Sequence, residues 1–390
     1  MIELKRLIGN FAKFRILIVD DKTNMRRTIR NMLRQLGFTN LDEAEDGDVA
    51  LRKILADHFD FVICDWNMPR MSGLEVLRAL RNQDKYRSLP FLMITAEVEE
   101  GTVAESIEAQ VDGYILKPFV PRTLEDKMLD ILKKKLNPSE LDTHLRLADA
   151  YYRAGESEKA LVELEDAAKI SPRNPKLHYS RGLVYEAQGN FQEAEKAFQM
   201  SRDTGPKFVK SREKLAEIYN RQGKTAEMLA VLKEAVRVSP KNADRQMALG
   251  QALLVEGRIQ EARKAFQAAT ALEPENGELS SAIGEAFLSH GLAQEAEKAF
   301  QTSIERNPKD VYAYNRLGIA FRRQKKFDEA VTLYRKAISI VPDEENLYYN
   351  LARAYIGAKN ERMAASALKK ALSIKPEFNE AQELLDSITE

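Results

Sequence analysis

The chain has 390 residues, 44% of them hydrophobic, and its 60 basic and 60 acidic side chains cancel to a formal net charge of zero. That length calls for two or more cores, and the charge balance, which holds both before and after residue 137, lacks the basic half or stripe of a nucleic-acid binder. The single cysteine, Cys64, permits no intramolecular disulfide and fits a reducing compartment. With no apolar run near the roughly 18 residues that span a bilayer and no signal-like stretch at the start, a cytoplasmic protein without membrane insertion is expected.

After an N-terminal extension over 1–13, residues 14–136 alternate short apolar runs with amphipathic stretches. Strands are predicted at 15–19, 41–44, 61–64, 91–95 and 113–116, and helices at about 23–36, 47–57, 74–83, 99–110 and 121–136. This is the pattern of an α/β doubly wound, five-stranded parallel sheet with the flavodoxin-like order 2-1-3-4-5.

The polar residues fall at the strand ends. Strand one stops at Asp20-Asp21, strand three at Asp65, and strand four at Thr95-Ala96, while strand five leads into Lys117-Pro118-Phe119. Taken singly, Asp20-Asp21 would serve equally as the cap of the following helix. Taken together, a parallel sheet brings all of these to one edge. Three carboxylates side by side repel one another unless a proton or cation intervenes. A hard divalent ion such as Mg²⁺, bound by oxygen, answers that repulsion. The combination points to phosphoryl transfer onto a carboxylate, with Asp65 as nucleophile and Lys117 pairing with the phosphoryl oxygens.

Residues 14–136 resemble the receiver domains of response regulators. The stretches that carry the likeness are Ile18-Val19-Asp20-Asp21, Glu43-Ala44-Glu45-Asp46-Gly47, Asp65-Trp66-Asn67-Met68-Pro69, Thr95-Ala96-Glu97 and Lys117-Pro118-Phe119. The resemblance implies that a sensor histidine kinase phosphorylates Asp65. It implies that Asp20, Asp21, Asp65 and the backbone carbonyl of Asn67 hold Mg²⁺, and that the Lys117–Pro118 bond is cis. Thr95 and Ala96 then meet the phosphoryl group with Lys117, Tyr114 is the aromatic that moves with Thr95, and Asn67 and Glu97 tune hydrolysis. Homodimerisation through the receiver is a further expectation of this kind.

After a short junction at 137–140 the chain keeps a 34-residue clock. Prolines recur at 138, 172, 206, 240, 274, 308, 342 and 376. Counted from Leu141, small residues recur at the eighth, twentieth and twenty-seventh positions, and an aromatic or leucine at the eleventh. Such a period means stacked helical pairs, and residues 141–378 resemble seven tetratricopeptide (TPR) repeats, followed by a capping helix at 379–390. Met228 is the misfit among the small positions, and looser packing is expected around it.

Solenoids of this type hold peptides in a concave groove. Asn315, Ile319, Arg322, Tyr349 and Arg353 are the residues expected to line one, and no catalytic group accompanies them. The leading expectation is a two-component response regulator in which phosphorylation of Asp65 controls binding of an unidentified protein or peptide by the repeats. The alternative is a constitutive scaffold or phosphate sink whose partner binding ignores phosphorylation. Neither is an enzyme beyond the receiver's own phosphorylation chemistry.

Overall fold

The computed structural model describes residue 4 and residues 7–9, 13–96 and 111–389. The chain divides into two compact units, Met1–Pro240 and Lys241–Glu390. In the first lie the strands β1 (Ile16–Val19), β2 (Leu41–Ala44), β3 (Phe61–Asp65), β4 (Phe91–Thr95) and β5 (Gly113–Leu116). With them are the helices α1 (Thr23–Gln35), α2 (Gly47–Ala56), α3 (Gly73–Arg81) and α4 (Pro121–Leu136). All strand pairs are parallel, in the order β2-β1-β3-β4-β5. The helix expected at 99–110 lies outside the described residues.

The strands at the centre are unbroken apolar runs because helices cover both faces of the sheet. Successive side chains point to opposite faces. Ile16, Ile18, Phe61, Ile63, Leu92 and Ile94 face one core with Ile29 and Leu33 of α1 and Leu124, Met128 and Ile131 of α4. Leu17, Val19, Val62, Cys64, Phe91 and Met93 face the other with Ala50 and Ile54 of α2 and Leu74, Leu77 and Leu80 of α3. Leu4 is also fully buried against the first of these cores, a docking that the sequence pattern of the N-terminal extension did not disclose.

Three helical pairs complete the first unit: α5 (Glu140–Arg153) with α6 (Ser157–Ile170), α7 (Pro175–Ala187) with α8 (Phe191–Thr204), and α9 (Lys210–Arg221) with α10 (Thr225–Val238). The second unit contains α11 (Ala243–Val255) with α12 (Ile259–Leu272), α13 (Gly277–Ser289) with α14 (Ala293–Arg306), α15 (Val311–Arg323) with α16 (Phe327–Ile340) and α17 (Glu345–Gly357) with α18 (Glu361–Ile374), closed by α19 (Asn379–Thr389). The second helix of each pair stops two residues before the periodic proline, because the residue preceding proline is driven out of the helical region.

The packing inside each pair follows a size rule. Where the eighth position is glycine, the facing residue is a large ring: Gly182 with Phe198, Gly250 with Phe266, Gly284 with Phe300, and Gly318 with Tyr334. A Cβ on any of these glycines would lie 2.3–2.8 Å from a ring carbon. Where the eighth position is alanine (Ala148, Ala216, Ala352), the residue sixteen places on is Leu164, Leu232 or Leu368, and all six are buried. Total volume is thus conserved within each pair, as close packing demands. Met228 is accommodated inside its pair at 8% exposure, with Leu229, Val231 and Leu232 buried alongside, so the larger side chain fills space there.

The turn between paired helices carries a left-handed residue. It is glycine in five pairs (Gly155, Gly189, Gly223, Gly257, Gly291), whereas Lys325 and Lys359 occupy it at φ of 62° and 58°.

Between α4 and α5 only Asn137, Pro138 and Ser139 intervene, and Ser139 caps α5 by accepting the backbone N–H of Asp142 at 3.1 Å. Two ion pairs join α5 to the loop between α3 and β4, Arg153 to Asp84 at 2.7 Å and Arg87 to Asp149 at 3.5 Å. Behind them the buried Arg81 and the half-buried Lys135 both hold Asp112, at 2.9 Å and 2.8 Å, and Asp112 also accepts the backbone N–H of Phe91.

Candidate functional site

The parallel register decides what meets at the sheet's carboxyl edge. Val19 is level with Cys64, Asp65 with Ile94, and Thr95 with Leu116. The residues just past β1, at the end of β3, at the end of β4 and just past β5 therefore converge. Asp20 is fully buried, Asp65 is 7% exposed and Thr95 4%. Lys117 reaches across from the loop after β5, placing Nζ 2.5 Å from Oδ1 of Asp65 and 2.9 Å from Oδ2 of Asp20. Its backbone N–H donates to the Thr95 carbonyl at 2.8 Å, and the Lys117–Pro118 bond is cis.

Asp20 is not the cap of the next helix: α1 begins after Lys22, and Oδ1 of Asp20 accepts the Lys22 backbone N–H at 2.8 Å. Arg26 holds the Asp20–Asp21 turn from behind, donating to the Asp20 carbonyl at 2.7 Å. Asp21 is half-buried beside this turn, while Asn67 and Ala96 are exposed. Tyr114 points outward at 38% exposure, with the Lys127 ammonium 5.9 Å from its ring. Glu97 lies outside the described residues.

The loop after Asp65 is pressed close at both ends. A Cβ at Gly73 would fall 2.2 Å from the Asp65 carbonyl oxygen, and one at Gly47 would fall 2.4 Å from that of Met71, so neither position has room for a larger residue. Arg70 adopts a left-handed φ of 68° and pairs with the buried Asp46, whose other oxygen caps α2 through the Val49 N–H at 2.8 Å. Ser72 and Glu75 form a capping box at the start of α3. Sequence reasoning noted Asp46-Gly47 but missed Arg70 as its partner; nothing in the spacing marks Arg70 for that role.

Burial pushes the Asp65 carboxyl above the ordinary aspartate range; Lys117 pulls the other way, and the charges of Asp20 and Asp21 add to the rise. Burial likewise opposes the Lys117 ammonium, yet its bonds to Asp65 and Asp20 outweigh that and hold it above the usual lysine value. Burial also drives the neighbouring Cys64 thiol well up, which makes it an inert core side chain.

Among the described residues no three His, Cys, Asp or Glu side chains are drawn together closely enough to hold a metal by themselves. The Lys117 ammonium is the cation that Asp20 and Asp65 share. The donor set still suits Mg²⁺: the carboxylates of Asp20, Asp21 and Asp65 supply hard oxygens, and of the three only Asp20 and Asp65 are bonded by the Lys117 ammonium.

In the second unit, α15 carries Asn315, Ile319 and Arg322, and α17 carries Tyr349 and Arg353. Asn350 links the two helices, donating to Asn315 Oδ1 at 3.0 Å and accepting from Arg322 at 3.3 Å. Ile319 is half-buried beside them, and Arg353 lies 5.8 Å from the Tyr349 ring, which packs 5.1 Å from Phe378. Asn350 is absent from the sequence-based set, although it directly follows Tyr349.

Residues 16–129 match the response regulator receiver domain. Residues 148–189 match a TPR repeat, and tetratricopeptide repeat matches cover 179–243, 213–277, 247–308, 281–345 and 321–388. The chain is similar to the chemotaxis protein CheY of Pseudomonas aeruginosa, at 47% identity over 120 residues that make up 31% of this chain and 97% of that one. It is similar to CheY-3 of Vibrio cholerae at the same identity, over 31% of this chain and 92% of that one. Among solved structures, the C-terminal part of a TPR repeat-containing protein from Cytophaga hutchinsonii shares the helical fold, with a TM-score of 0.50 at 16% identity, covering 61% of this chain and 98% of that one.

Proposed function

We propose a function from the premise that the chain belongs to the response regulator receiver family and carries tetratricopeptide repeats after its receiver: it accepts a phosphoryl group from a histidine kinase on Asp65, and the acceptance governs protein binding by the repeats. The observation that carries this reading is the Lys117 ammonium lying 2.5 Å from Asp65 and 2.9 Å from Asp20 at the carboxyl edge of the sheet. In this reading the receiver spans 14–136 and seven repeats span 141–378.

The chemistry follows from the side chains. An Oδ of ionised Asp65 attacks phosphorus, the P–O bond forms, and the P–N bond of the donor phosphohistidine breaks with its electron pair going to the imidazole. A carboxylate needs no separate base, and burial keeps water from competing for the same phosphorus. Lys117 keeps a positive donor against the acceptor as negative charge accumulates. Thr95 and Ala96, at the end of β4, supply hydroxyl and backbone donors on the same edge, and Tyr114, now outward, is the aromatic free to turn in when Thr95 shifts. Asn67, exposed beside the acceptor, sets the approach of hydrolytic water with Glu97. Asp20, Asp21, Asp65 and the Asn67 carbonyl would hold Mg²⁺, which when bound neutralises charge on the transferring phosphoryl group.

Acetyl phosphate and Mg²⁺ should label the full chain on one residue, and Asp65→Ala should abolish the label. Persistent labelling of that variant would show another acceptor. Among the described residues no helix is long and apolar enough to cross a membrane, and the partners of this reading are a sensor kinase and a protein or peptide held by the repeats.

A further inference from the structure

We infer that Arg70 is a positioning residue for the metal ion of the acceptor site, acting through its ion pair with the buried Asp46. The inference deepens the reading of Asp65 as phosphoryl acceptor and rests on it.

The segment from Trp66 to Gly73 is a loop closed at its base. The Trp66 N–H donates to the Ile94 carbonyl of β4 at 2.8 Å, and the Gly73 N–H donates to the Trp66 carbonyl at 3.1 Å. At the tip the Met71 N–H donates to the Pro69 carbonyl at 2.9 Å, around an Arg70 whose φ is 68°. A bond from residue i+2 back to residue i about a positive φ is the rare, strained kind of γ-turn, and a residue with a Cβ enters the left-handed region at a cost. Such a conformation persists where its surroundings over-determine it.

Here the surroundings are Asp46 and Gly47. The Asp46 side chain is 1% exposed, and its Oδ1 caps α2 through the Val49 N–H at 2.8 Å. Its Oδ2 accepts no hydrogen bond and has the Arg70 guanidinium as its ion-pair partner. A carboxylate buried to that degree demands a cation. Arg70 itself is 63% exposed, so attraction to Asp46 rather than burial sets its place. The absence of a Cβ at Gly47 lets the Met71 carbonyl lie against the start of α2. The loop is therefore pinned to β4 at its base and fastened to α2 at its tip.

Asn67, whose carbonyl is assigned to Mg²⁺, stands between those two anchors. Only Met68 and Pro69 separate it from Arg70; Met68 packs on the core that holds Trp66, and the proline ring fixes its own φ. Mg²⁺ tolerates little departure from octahedral geometry, so a tip released from Asp46 would offer the carbonyl in place less often. Groups that orient metal ligands from outside typically change metal affinity by about 10-fold or more.

The test uses the full chain and its single tryptophan, Trp66, which directly follows the acceptor and is 8% exposed. Its emission is followed in titrations with MgCl₂ and, separately, in urea. Arg70→Met should weaken Mg²⁺ binding by about 10-fold and lower the urea midpoint, because it strands the Asp46 charge. Adding Asp46→Asn removes that charge while keeping the cap, since asparagine caps a helix as well as aspartate. The double variant should therefore regain the parent's urea midpoint and still bind Mg²⁺ about 10-fold more weakly. A merely structural role predicts that affinity recovers together with stability. Mg²⁺ affinity within about 2-fold of the parent in the double variant would overturn the inference and leave the acceptor assignment standing. A parent that neither responds to Mg²⁺ nor takes label from acetyl phosphate would overturn both.

Discussion

Replacing Gly250 by alanine should destabilise the second unit even though alanine is the better helix former. Propensity alone favours alanine by about 1 kcal/mol. The new methyl, however, would stand 2.3 Å from Cε1 and 2.6 Å from Cδ1 of Phe266. That ring is 2% exposed and braced edge-on by Phe287 at 5.0 Å, so it cannot retreat without moving a helix. Relieving about 1 Å of overlap in a packed core costs about 1–3 kcal/mol, so after the propensity gain the net loss should be up to about 2 kcal/mol. Phe266→Leu alone opens a cavity worth about 1–2 kcal/mol. The double variant recreates the alanine–leucine match that the chain already uses at Ala216 and Leu232, so it should be better than the sum of the singles by at least about 1.5 kcal/mol. Repeat arrays need not unfold in one step, so the assay is native-state hydrogen exchange of the α11 and α12 amides. Additivity within about 0.5 kcal/mol would refute the size rule.

Three further outcomes are expected. Because the folded state holds the Asp65 carboxyl above its ordinary range, mainly by burial, Asp65 weakens the fold once ionised and stops doing so as pH falls through its raised value. Asp65→Asn should therefore be the more stable protein at pH 7–8, with an advantage that shrinks toward about pH 4 in urea melts; a pH-independent difference would refute this. Lys325→Gly should stabilise by about 0.5–1 kcal/mol, since the residue is exposed and left-handed where five other pairs use glycine; a loss of stability on thermal melting would contradict it. Arg153→Glu, which sets a third acid beside Asp84 and Asp149, should cost no more than about 1 kcal/mol at low salt, and the cost should fade by about 1 M salt. A salt-independent loss in unfolding experiments at the two ionic strengths would mean packing holds that contact.

The sheet was legible because each central strand is an all-apolar run cut off by a polar residue, which fixes both the strand and the end where its chemistry lies. The repeats were legible because proline ends a helix at a fixed interval. Strand-end logic gathered Asp20, Asp65, Thr95 and Lys117, but could not show that one ammonium would bridge two carboxylates, since that depends on how far a lysine reaches across two strands. The Asp46–Arg70 pair was hidden because a left-handed arginine in a loop leaves no periodic trace. The match between positions eight and twenty-four was present in the sequence, yet it takes meaning only once the helices are known to face each other there. Asp84 and Arg153 stand 69 residues apart, and nothing local pairs them.

The acids and the ion pairs to α5 occupy opposite ends of β4. That strand has five residues, every one buried, and spans about 16 Å. A strand gripped on both faces bends little and slides as a unit, so a push at its carboxyl tip would arrive at the far end as displacement rather than as charge. The first repeat rests against that far end, in the position of a load on a short lever.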